Sequence, residues 1–119
     1  GKGSGYGDYK ALVKNYYNAV AEGNFNTMLR CYDKDDRKDL KDEKEDIKDS
    51  LEDMKYKAED LYEKGWNKNI KILGKSLKSK DEDVKYYTVF IDVEDSMQQL
   101  IIKKVKNKYT LDAESDMFN

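Results

Sequence analysis

The sequence predicts an α+β domain, with three N-terminal helices packed on an antiparallel sheet of about four strands. Three observations predict it. Apolar residues recur at the helical period as far as Leu61, the period changes to two after Trp66, and the later apolar runs are separated by short polar turns.

The first helix begins near Asp8, whose carboxylate can accept from the free amides of the first turn. Tyr9, Leu12, Val13, Tyr16, Tyr17, Val20 and Ala21 then form one broad apolar face. Gly23 can take the left-handed conformation that closes a helix, and Asn24 can cap a second, shorter one carrying Phe25, Met28, Leu29 and Tyr32. Residues 33–46 are charged at every position except Leu40. A calcium loop starting at Asp33 would need Gly at position 38 and an acidic ligand at position 44, and both are Lys. The run therefore reads as a loop or a solvated helix start. Ile47, Leu51, Met54, Ala58 and Leu61 mark the third helix as a narrow stripe that ends before Gly65 and Trp66, too short for a coiled coil.

Ile70 and Ile72 open a first strand that runs to about Ser79, and residues 80–83 make a polar turn. A second strand runs from Val84 to Glu94, with Tyr87, Val89, Ile91 and Val93 on one face and Tyr86, Thr88 and Phe90 on the other. Asp95-Ser96 leads into a third strand, Met97 to Val105, and Lys106-Asn107 into a fourth, Lys108 to Leu111. Turns this short require antiparallel neighbours.

At 119 residues the chain fits one domain. Residues 1–7 hold four of its seven glycines and read as a flexible tether with an expression remnant at Gly1, residues 8–112 as the domain, and 113–119 as a tail. Charged residues make up 40% of the chain and the net charge is −2. Lys103, Lys104, Lys106 and Lys108 form one basic cluster, read as a solvated hairpin rather than a phosphate track, so nucleic acid is not an expected partner. The chain has no His, which removes the commonest general base and metal ligand, and its single Cys31 lies in an apolar helical pattern with no imidazole to activate it. No metal, cofactor or catalytic residue is expected.

The stretch Tyr16-Tyr17-Asn18-Ala19-Val20-Ala21-Glu22-Gly23-Asn24-Phe25 resembles the opening of the NTF2-like (cystatin-like) superfamily, with its aromatic pair, its Ala and its Gly-Asn-aromatic break. The segment Ile102 to Leu111 is similar to that family's last hairpin, where an aromatic follows the turn. The resemblance implies a curved sheet wrapped as a cone around a long helix. Within that superfamily the chain looks most like small bacterial secreted or lipoprotein members of unassigned function, and like NTF2-like domains attached to penicillin-binding transpeptidases. Transpeptidase chemistry in such proteins belongs to a separate domain with a nucleophilic Ser motif.

Two functions compete at this point. The first is a non-catalytic binding module of an exported bacterial protein, periplasmic or held at the cell envelope, with membrane attachment only through a lipid anchor upstream of residue 1. The second is a small-molecule enzyme or carrier that uses the family's pocket. Tyr17, Tyr32, Tyr62, Trp66 and Tyr87 have parities compatible with lining a helix–sheet cavity for a small apolar ligand, although aromatics at helical spacing also build cores. Tyr86, Thr88 and Phe90 face away from the helices. A homodimer through this sheet face would cover them, and so would the N-terminal segment.

Overall fold

Local capping sets the helix boundaries in the computed structural model, which describes residues 3–112. Helix α1 (Tyr9–Glu22) starts where Asp8 accepts from the Lys10 amide at 3.0 Å. It ends at Gly23, which takes a φ of 65° and donates its N–H to the Ala19 and Val20 carbonyls. Helix α2 (Phe25–Arg30) follows at once because Asn24 Oδ1 accepts from the Thr27 amide at 3.1 Å.

The charged run after Cys31 takes the solvated-helix alternative rather than the loop. It folds as α3 (Lys34–Asp42), separated by Glu43 alone from the long α4 (Lys44–Tyr62). Four α-helices, rather than the expected three, therefore precede the sheet among the described residues. The cause is local: Asp33 accepts from the Asp36 amide at 2.9 Å, Asp35 and Asp36 occupy the positive end of the helix dipole, and Lys41 the negative end. No residue of α3 is fully buried, and Leu40 alone packs against the core, so no apolar period announced the helix. On α4, Leu51 and Ala58 are buried and Ile47 and Met54 are half-buried, as the stripe predicts. Leu61 departs from it at 59% exposure. Beyond Ala58 the next inward position of a 3.6-residue helix falls between residues 61 and 62, and Tyr62 takes it.

A 3₁₀ turn over Trp66–Asn69 delivers the chain to β1 (Lys71–Asp81), followed by β2 (Val84–Val93), β3 (Ser96–Val105) and β4 (Lys108–Leu111). They form one antiparallel meander in sequence order. Strand β1 carries two register shifts, between Ile72 and Gly74 and between Leu77 and Ser79. The parity predicted for β2 is observed: Val89, Ile91 and Val93 are buried on the inner face with Leu100, Ile102 and Leu111. Burying these aliphatic side chains contributes on the order of 1.5–3 kcal/mol each before entropy is counted.

Helix α1 runs along this inner face, against β4 and the 3₁₀ turn, while α2 and α4 pack on its remaining sides. The helix seated on the sheet is thus α1. Helix α4 has α1 as its main neighbour and reaches the sheet through Tyr62.

The start of the chain enters the fold. Tyr6, within the stretch read as a tether, exchanges backbone hydrogen bonds with Tyr109, and the Gly5 amide donates to the Arg30 carbonyl at 2.7 Å. Gly5 has a φ of +76°, and a Cβ there would lie 2.7 Å from the Tyr109 carbonyl oxygen, so only glycine admits this approach. The expected tail at 113–119 lies outside the described residues.

Candidate functional site

The five aromatics expected to line one cavity divide into groups. Tyr17, Trp66 and Tyr62 come together: the Tyr17 and Trp66 rings meet edge to face at 5.7 Å, and Tyr62 lies 5.7 Å from Trp66. Tyr16 extends the group, 5.6 Å from Tyr17. Three elements position it: α1 brings Tyr16 and Tyr17, the end of α4 brings Tyr62, and the 3₁₀ turn brings Trp66. A side-chain hydrogen bond of 2.8 Å from Asn67 to Asn18 ties that turn to α1.

Tyr17 and Trp66 are 0% and 1% exposed, so their rings are core and fill the space between α1 and the sheet. Their polar atoms are less well served. Tyr17 Oη and Trp66 Nε1 are buried without a hydrogen-bond partner, an arrangement that costs free energy unless something completes it. Burial, and then the neighbouring Tyr62 phenol, push the Tyr17 hydroxyl well above the usual tyrosine range. At the rim, Gln98 Nε2 donates to Tyr62 Oη at 3.2 Å and to Ser96 Oγ at 3.3 Å. The Tyr62 proton is then free to point elsewhere.

Tyr87 belongs to a second group at the other end of the inner face. Its ring lies 6.2 Å from Tyr109, which lies 6.1 Å from Tyr9 at the start of α1. Lys75 of β1 stands over both Tyr87 and Tyr9, its ammonium 4.6 and 5.2 Å from the ring centres, and Lys104 stands 5.3 Å over Tyr109. Tyr32 is in neither place. It is buried just past α2, beside Cys31.

Cys31 is buried, its thiol donates to the Thr27 carbonyl at 3.6 Å, and burial pushes its pKa up to about 12. Such a thiol is the inert kind. Its backbone does structural work, since the Cys31 carbonyl accepts from the Leu111 amide at 2.7 Å.

Tyr86, Thr88 and Phe90 are half-buried on the outer face of β2, directly opposite Lys103, Ile101 and Gln99 of β3. The described part of the N-terminal segment reaches β4 instead: a Cβ at Gly5 would meet Thr110 Cγ2 at 2.8 Å. Lys103, part of the expected solvated cluster, is bound on this outer face, 2.5 Å from Asp33 and 3.6 Å from Asp36 of the α3 start. Burial acts against the Lys103 ammonium, but the two carboxylates outweigh it and hold its pKa above the ordinary lysine value. Burial likewise opposes the charged form of Asp33. The Asp36 amide and Lys103 prevail and leave its pKa lowered.

Sequence reasoning missed the inner-face lysines and the Tyr9–Tyr109 contact. The signal was present in part: a two-residue turn at Glu82-Asp83 sets Lys80 opposite Lys85, whereas a four-residue turn hides the pair. Among the described residues, no group of three His, Cys, Asp or Glu side chains could hold a metal ion, and no helix is long and apolar enough to cross a membrane.

Fold and site together define an α+β protein in which a helical layer covers one face of a four-stranded antiparallel meander. No protein-family model matches the chain, and neither a curated protein nor a solved structure does.

Proposed function

We propose that this chain is a non-catalytic binding module of the NTF2-like kind, belonging to an exported bacterial protein of the periplasm or cell envelope, and that it pairs with a second copy through the outer face of β2. The observation that carries the reading is the half-buried row Tyr86, Thr88 and Phe90 on a central strand, with Ile101 of β3 beside it. A central strand with apolar side chains on both faces gains by burying the second one. The order of helices followed by a four-stranded meander is compatible with the NTF2-like arrangement. Sedimentation or light scattering tests the pairing. The wild-type chain is expected to be a dimer and Phe90→Glu a folded monomer; a monomeric wild type at high concentration would remove the proposal. Export is tested by fractionating cells that make the full-length protein.

A second reading, a carrier for a small apolar ligand bearing an acceptor oxygen, is favoured by the buried, unpartnered Tyr17 Oη and Trp66 Nε1. Trp66 is the only tryptophan, so its emission reports on this place directly. Titration with a cyclic ketone would quench it saturably in the wild type and not in Tyr17→Phe. Unchanged emission in both would leave the outer-face reading alone.

A further inference from the structure

The register of the sheet sets three lysines side by side. Lys80 of β1 is the direct partner of Lys85 of β2, and Lys85 is the direct partner of Lys104 of β3. All three share the inner face with Tyr87 and Leu77, Lys80 and Lys85 exposed and Lys104 half-buried over Tyr109. Adjacent strands lie about 4.8 Å apart, so the three stems leave the sheet as a row of closely spaced positive charges. Like charges directly opposite one another destabilise a sheet.

Common explanations for surface lysines cover only part of this row. Lysines on an edge strand discourage edge-to-edge pairing, which accounts for Lys75 and Lys80 on β1. Lys85 and Lys104 stand on the two central strands, where no edge needs protection. Nor are they neutralised: among the described residues, the ion pairs with carboxylates at this end of the sheet belong to Lys103, on the opposite face. The depression beside Lys85 and Lys104 has Val105, Lys106 and one acid, Asp83, as its other lining residues. Lys75 and Lys104 are meanwhile held by the rings of Tyr9, Tyr87 and Tyr109, which reduces the freedom they would lose on meeting a ligand.

We infer that this row binds a linear polyanion of the polyphosphate kind, laid across β1, β2 and β3 over the tyrosines. A phosphate chain suits it because lysine ammoniums act as point charges toward phosphate, and one flexible chain can neutralise several at once. The acidic run Asp81-Glu82-Asp83 beside the row disfavours a flat anionic bilayer, which would have to meet those carboxylates as well.

Calorimetric titration of the whole chain with linear polyphosphate tests the inference. Binding should weaken as salt rises, with a slope reporting about three ion contacts. Lys85→Ala should lower affinity about fivefold and the triple change Lys80→Ala, Lys85→Ala, Lys104→Ala about a hundredfold, on the scale of one polybasic contact per lysine. Lys108→Ala removes the same charge from the outer face at the same end and should leave affinity unchanged. The thermal midpoint of the triple variant without ligand should equal or exceed that of the wild type, which separates a binding defect from a folding defect. The inference is overturned if polyphosphate does not bind, if Lys108→Ala weakens binding as much as Lys85→Ala, or if phosphatidylglycerol vesicles or a single-stranded oligonucleotide bind more tightly than polyphosphate and through the same lysines.

Discussion

The two ends of the inner sheet face are built on opposite principles. At the Trp66 end, α1, the close of α4 and a 3₁₀ turn converge, and Tyr16, Tyr17 and Trp66 are sealed from water. At the Tyr87 end the start of α1 meets the sheet through Tyr9 and Tyr109, and the same face carries Lys75, Lys80, Lys85 and Lys104 around three tyrosines. The ends are roughly 13 Å apart, four residues along β2 from Tyr87 to Ile91. Both are rich in aromatics that pack in or against the core, yet only the second also carries cations on its ring faces. Aromatic content alone does not distinguish core from surface site; what the rings touch does.

That contrast can be tested most forcefully at Trp66. Trp66→Ala should destabilise the fold by about 3–5 kcal/mol, read as a drop in the denaturant midpoint, because it removes the largest buried side chain and leaves a cavity. A loss below about 1 kcal/mol would mean that Trp66 does not act as core despite its burial. Tyr17→Phe sharpens the same point. It deletes a buried hydroxyl with no partner, so the variant should be more stable by about 1 kcal/mol. A loss of stability instead would show that something completes that hydroxyl in solution, and would favour the carrier reading. The smallest effect is expected at the charged end. Lys85→Glu places an acid directly between Lys80 and Lys104 and should stabilise the unliganded chain by about 0.5–1 kcal/mol in thermal unfolding.

Much of the fold was legible without coordinates. Asp8, Gly23 and Asn24 mark helix ends through hydrogen bonds made within a few residues, and those are local events. The inner parity of Val89, Ile91 and Val93 follows from the two-residue period of a strand. Helix α3 was harder to see, because capping and charge hold it together rather than an apolar face. The candidate site was legible as a list and not as a place. Tyr17, Tyr62, Trp66 and Tyr87 were all singled out, but nothing in their spacing says that the first three meet while Tyr87 joins Tyr9 and Tyr109.

By itself the sequence determined the order of the apolar helices and the strands, the caps of α1 and α2, and which side of β2 is the inner one. Those depend on neighbours a few residues apart. Tertiary structure alone decided that α1 rather than α4 rests on the sheet, that Tyr6 pairs with Tyr109, and which partners Lys103 and Lys104 meet on their opposite faces. One of those lysines turns out to Asp33 and the other in toward Lys85. The physical reason is register: a strand's pleat fixes alternation, but only its pairing with a distant segment fixes which side chain stands opposite which.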